Sequence, residues 1–351
     1  MLDSLPSHPR PAVIGIDKWS VLAGVRFLLA SVVAVNHLGA YTSLGFLAFI
    51  PKFGPFEAIL GFLLISGYSI SVSYTKQPYG FLGRRIQRLF PVYLAAIAAT
   101  YMAGMVEGSP HPSIGNLVVN ALFLNQLFTS TSFVVPAWSL SLEFWLYCLA
   151  PVLVRIPPAR TRLLIYCSFA CYVIYTPLRS LLHLPYYSGV GFGANLVFLS
   201  FIWIAGLRLA LVQGQRETAM RDIRILLGGH ILMVIGIQFM YRAKNHAIPE
   251  FFRHDFLGFA MQFATLGFVY LVFARLVIAP RPGVRRSWLL RFMGDVSYPL
   301  YLLHAPIYVF LAKTGLVNPL WYYLAAVCLS AVVYQAFDFY SKKRHQQIGT
   351  N

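Results

Sequence analysis

The chain has 351 residues, of which 58% are apolar and 11% charged, and its formal net charge is +17. That balance excludes an ordinary soluble domain, which needs more polar surface than these residues supply. A β-barrel is excluded too, because the apolar segments are long runs rather than short alternating stretches.

Apolar runs of spanning length recur down the chain and predict an all-α polytopic membrane protein of about ten transmembrane helices. They cover residues 20–44, 56–75, 89–106, 137–154, 163–182, 195–213, 225–241, 256–278, 295–312 and 320–340. The first run lacks a small-residue cleavage site and more spans follow it, so it reads as a retained helix and not a signal peptide. Residues 114–128 are too interrupted for a span and read as a re-entrant or interfacial piece.

With the N-terminus inside, the inward segments hold 19 of the 28 Lys and Arg residues and the outward ones 6, the other 3 (Arg26, Arg208, Arg275) lying within spans. This bias predicts that both termini are cytoplasmic. It also accounts for the basic charge without a nucleic-acid partner. The expected organisation is a cytoplasmic segment of residues 1–19, one membrane domain of 20–341 and a short basic cytoplasmic tail of 342–351. Cys148, Cys167, Cys171 and Cys328 all fall in apolar runs. They read as small buried residues, and no metal site is expected.

The first span holds Arg26 and His37. Eleven steps of about 100° put both side chains on one helix face, about 16 Å apart along the axis. Ionisable groups inside a membrane are costly, which makes them functional candidates. Histidine suits proton abstraction from a hydroxyl, and arginine suits an anion such as a phosphate. The plainer alternatives are a hydrogen-bonded bundle histidine and an arginine that snorkels to the interface.

The second span carries Ser66 and Gly67 amid bulky residues, a pattern that permits close approach of a helix or a ligand. Before the third span, Arg85 and Arg88 share a helix face and can clamp phosphates, although a basic inner loop is also what topology demands. The fourth opens with Pro136-Ala137-Trp138-Ser139-Leu140-Ser141-Leu142-Glu143. Glu143 there must pair or be protonated, and can orient a histidine or an acceptor hydroxyl. The ninth carries Ser297-Tyr298-Pro299-Leu300-Tyr301-Leu302-Leu303-His304, with a second mid-membrane imidazole.

The order of these elements resembles acyltransferase family 3 of integral membrane acyltransferases, from about Ile16 to about Tyr340. The carriers are Arg26 with ten residues to His37, Ser66-Gly67, the Arg84–Pro91 segment, Trp138–Trp145 and Ser297–His304. Phe62-Leu63 stands where the family usually has two phenylalanines. The resemblance implies transfer of an acyl group, usually acetyl from acetyl-CoA, to a hydroxyl of a sugar, glycan or lipid-linked acceptor, as in polysaccharide O-acetylation. Arg26, Ser66, Gly67, Arg85 and Arg88 become donor-binding candidates and His37 the catalytic one, with Glu143 or His304 orienting it. Trp138, Ser139, Ser141 and Tyr298 are the candidate acceptor contacts.

No permanently bound cofactor is implied, acetyl-CoA or another acyl-CoA being a substrate, and the expected location is a cell membrane of the bacterial inner-membrane kind. An extracytoplasmic esterase-like domain is not expected after the last span. The rival is a polytopic transporter or flippase in which Arg26, His37 and Glu143 form a proton or substrate pathway.

Overall fold

The computed structural model describes residues 15–278 and 284–339. Most of the expected N-terminal segment, with Arg10, lies outside the described residues, as do Arg281 and the basic tail with Lys342, Lys343 and Arg344.

The described chain is mostly long helices, with a nine-residue 3-10 helix, Gly45–Phe53, in the connection between the first two. They are α1 (Lys18–Leu38), α2 (Pro55–Lys76), α3 (Phe81–Glu107), the short α4 (Ile114–Ala121) and α5 (Asn125–Phe128), then α6 (Ala137–Leu153), α7 (Pro158–Leu182), α8 (Ala194–Leu211) and α9 (Arg216–Lys244). One turn, α10 (Ile248–Glu250), leads through a π-helical turn into α11 (Phe256–Phe273), and α12 (Trp288–Ala312) and α13 (Pro319–Tyr334) follow. The starts are written locally. Asp17 caps α1 by accepting from the backbone N–H groups of Trp19 and Ser20, and Pro55 and Pro158 occupy first-turn positions that need no N–H donor.

Among the described residues, eight helical segments are long and apolar enough to cross a membrane, which makes this a multi-pass membrane protein. They coincide with eight of the ten expected spans. The remaining two are also helices but fall outside that set: α6 has 17 residues, and α12 carries Asp295, His304 and two prolines along its 25 residues. The interrupted stretch around residue 120 forms α4 and α5, broken at Phe123, whose φ is +58°.

Burial separates centre from rim. In α2 and α8 72% and 67% of the spanning window is buried, against 22% in the spans Ile248–Val277 and Pro319–Phe337. The cysteines follow the same division: Cys167 and Cys328 are exposed on the helix surface rather than buried. An apolar run does not distinguish a core face from a lipid-facing one, since both favour the same side chains.

Two close crossings build the centre. A Cβ on Gly67 would lie 1.9 Å from the Trp203 carbonyl oxygen, and one on Gly206 would lie 2.2 Å from that of Leu64, so α2 and α8 meet backbone to backbone. Likewise a Cβ on Gly294 would lie 2.4 Å from Ala23 Cβ, which brings α12 against α1. These two helices run parallel and in register. Gly15–Ile16 pairs with Val284–Arg285 as a two-residue parallel ladder, Ser287 N donates to Ser20 Oγ at 3.2 Å, and Arg291 joins Asp17 at 3.1 Å. At the far end the same register sets His37 beside His304.

Candidate functional site

A cavity of about 410 Å³ lies among α1, α2, α3, α6 and α12. Along α2 its wall includes Ile59, Phe62, Ser66, Ser69, Ser73 and Lys76. Those positions recur every three or four residues and so form one helix face, about 25 Å long at 1.5 Å per residue. Its chemistry changes along that length. Lys76, Arg85 and Arg88 stand at one end, hydroxyl groups and Glu143 in the middle, and Ile59, Phe62, Leu140 and Tyr301 at the other.

Four cations, Arg26, Lys76, Arg85 and Arg88, line the cavity with a single carboxylate, Glu143. Among the described residues none of the four forms an ion pair. Arg26 Nη2 donates to Ser69 Oγ at 3.0 Å, and Arg85 Nη2 to Ser73 Oγ at 2.6 Å. Both acceptors are neutral. Cations without a paired carboxylate in a membrane-embedded cleft are expensive, and such an arrangement can accept an anion along its length.

Midway, the Ser66 and Tyr147 hydroxyls both donate to Glu143 Oε1. Trp203 Nε1 donates to Ser66 Oγ at 3.2 Å. Serine has one proton to give and indole only donates, so the order Trp203, Ser66, Glu143 is fixed. The Gly67–Trp203 crossing brings that indole to α2. Glu143 and Tyr147 are one turn apart on α6, which is why one carboxylate oxygen serves both hydroxyls.

Above the apolar end sit the two imidazoles. His37 occupies the last turn of α1 and is half-buried, whereas His304 is fully buried in α12. His37 Nδ1 is 2.7 Å from His304 Nε2, and His304 Nδ1 is 2.8 Å from the Leu300 carbonyl oxygen. A carbonyl only accepts, so His304 Nδ1 carries the proton and, in the neutral ring, its Nε2 is a lone pair. His37 Nδ1–H must then be the donor, which leaves His37 Nε2 as a free base. Neither histidine is among the cavity's lining residues; the nearest lining position on α12 is Tyr301, one turn or about 4.5 Å of rise below His304.

Of the sequence candidates, Arg26, Ser66, Arg85, Arg88, Ser139, Glu143 and Tyr298 share the cavity wall. His37 and His304 form the pair beyond it. Gly67, Trp138 and Ser141 are not on the wall: Gly67 is spent on the helix crossing, Trp138 is buried among core side chains, and Ser141 Oγ donates to the Phe123 carbonyl at 2.6 Å. Sequence reasoning missed Ser69, Ser73, Tyr147, Trp203 and Tyr301. The serines had a signal, since Ser66, Ser69 and Ser73 recur at helical spacing. Trp203 had none, being distant in sequence.

Set beside known proteins, residues 22–337 match the sequence model of the acyltransferase 3 family, described as "Acyltransferase domain". A protein of Acidianus two-tailed virus named "Putative acetyltransferase ORF330" is 22% identical over 270 residues, which cover 73% of this chain and 72% of that protein. No solved structure matches the chain significantly.

Proposed function

The chain belongs to the acyltransferase 3 family, and from that premise we propose that it is a membrane O-acyltransferase carrying an acyl group, acetyl first, from acyl-CoA to a hydroxyl of a cell-surface glycan or lipid-linked saccharide. One observation carries this reading. The cavity is cationic at one end, where its cations form no ion pair among the described residues, apolar at the other, and its lining stops one helical turn beneath a histidine pair with a free Nε2.

An acyl-CoA has that polarity: phosphates at one end, a thioester at the other. Arg85, Arg88 and Lys76 would hold the phosphates, Arg26 and the serines of α2 the polar arm, and the acyl group would lie toward Tyr301. His37 Nε2 would take the proton of the acceptor hydroxyl as its oxygen attacks the thioester carbon. The carbon–sulfur bond then breaks and the thiolate leaves, taking a proton to become the free thiol, while His304 holds the His37 ring in the required tautomer.

The lysine and arginine bias supports a cytoplasmic basic mouth, on the side where CoA thioesters are made, and a half-buried His37 toward the outer face. A bacterial inner membrane suits this arrangement.

The test is release of CoA thiol from acetyl-CoA by the purified protein with a saccharide acceptor, alongside mass spectrometry of surface glycans. His37→Ala should lower release by about 10²- to 10⁴-fold and deplete one acyl substituent. Vectorial movement of substrate without thioester cleavage would overturn the reading in favour of a transporter.

A further inference from the structure

The end of the cavity lined by Ile59 and Phe62 has a chemistry of its own. Ile59, Phe62, Leu140 and Tyr301 gather there, far along α2 from the basic mouth, and no charged side chain is among them. Ile59 and Leu140 are 8% and 4% exposed, so they are packed from behind and cannot easily retreat.

Tyr301 is held still. Ser139 Oγ lies 3.2 Å from the Pro136 carbonyl oxygen and 2.7 Å from the Tyr301 hydroxyl. The carbonyl can only accept, so Ser139 spends its proton there and the Tyr301 hydroxyl donates to Ser139. That bond fixes the phenol among the side chains lining this end of the cavity. The Phe62 ring meets it nearly edge-on, with centroids 5.5 Å apart and planes at 65°. Phe62 is only partly buried and lines the cavity beside Tyr301.

We infer that Phe62, braced by Tyr301, is the stop that limits the acyl chain, so that the protein accepts two- or three-carbon acyl donors and rejects longer ones. The inference rests on the acyl-CoA reading above and adds to it a residue that sets donor class. A chain too long for the end must push either the pinned phenol or close-packed Ile59 and Leu140, and each methylene that fails to fit is worth about 1–3 kcal/mol, roughly 10- to 200-fold in discrimination.

The experiment is a donor series of acetyl-, butyryl- and hexanoyl-CoA with the full chain in nanodiscs, read as kcat/KM for thiol release. The unsubstituted protein should favour acetyl over hexanoyl by 10-fold or more. Phe62→Ala should raise the hexanoyl-to-acetyl ratio by at least 10-fold, Phe62→Leu should raise it less, and Leu140→Phe should lower the butyryl-to-acetyl ratio. If Phe62→Ala does not fold, the Phe62→Leu and Leu140→Phe ratios decide the matter.

A ratio unmoved by the substitutions, or an equal loss for all three donors, would overturn the inference and assign Phe62 to packing. An unsubstituted protein that uses hexanoyl-CoA as well as acetyl-CoA overturns it also. Failure of the acyl-CoA reading looks different: no thioester of any length is then cleaved by the unsubstituted protein, and both conclusions fall.

Discussion

His37 donates to His304 across 2.7 Å, from the last turn of one helix to the middle of another 267 residues further on. The Leu300 carbonyl beneath His304 sets the direction of that bond. A ring locked in one tautomer presents its remaining nitrogen as a lone pair, which is what a general base needs. The two histidines should therefore differ in kind. His37→Ala should cost about 10²- to 10⁴-fold in kcat, the range for a lost general base. His304→Ala should lower kcat on the order of 10²-fold through misorientation while leaving donor KM nearly unchanged. Steady-state kinetics on both variants checks this, and a donor KM that rises as kcat falls in His304→Ala would move His304 into the binding site.

Arg85 and Arg88 should act on binding rather than on chemistry. Each charge-assisted hydrogen bond to a phosphate is worth about 1.5–3 kcal/mol, so Arg85→Ala or Arg88→Ala should raise donor KM roughly 10- to 100-fold at little cost in kcat. The defect should grow smaller with donors that lack the nucleotide phosphates, such as acetyl-pantetheine. Equal defects on both donors would contradict phosphate recognition.

Gly67 should fail through stability. Its added Cβ would meet the Trp203 carbonyl oxygen at 1.9 Å and the carbonyl carbon at 2.8 Å, and backbone cannot swing aside as a side chain does. Gly67→Ala should cost about 1–3 kcal/mol or more by forcing α2 from α8. A thermal melt in detergent would register a lower Tm, with donor KM unchanged in the folded fraction. A normal Tm with a raised KM would instead put Gly67 in the donor site.

Asp17 gives the helix pair a pH dependence at its other end. Partial burial pushes its carboxyl upward, but hydrogen bonds from Ser20 and Arg291 together hold it below the ordinary carboxylate value. A lowered folded value means the stabilisation is complete above the unfolded value of about 4 and is lost as pH falls through the folded one. Asp17→Asn keeps a helix cap and loses the charge. It should lower Tm at neutral pH by an amount equivalent to about 1 kcal/mol or less, since Arg291 remains 39% exposed. The difference between the two proteins should begin to shrink below about pH 4 and vanish once pH falls below the lowered folded value.

The membrane class was legible in composition, because hydrocarbon admits few side chains and helices must satisfy their own backbone. Most spans were legible for the same reason. Arg26 and His37 stood out in α1 because charge in such a run is costly, and the serine spacing on α2 was there to be read. Glu143 was visible as a carboxylate but not as a partner of Ser66 and Tyr147.

Tertiary structure decided what local pattern could not. Apolar periodicity is the same whether a face meets lipid or another helix, so the exposed Cys167 and Cys328 were indistinguishable from core residues. Gly67 could equally have admitted a ligand or a helix until Trp203 was seen against it. The sequence by itself determined the solvent of this protein, its helices and the costly groups within them, since those follow from single residues and their spacing. The parallel register of α1 and α12 joined His37 to His304, and the crossing of α2 with α8 brought Trp203 to Ser66. Both depend on contacts between segments far apart in the chain, where no periodicity reaches.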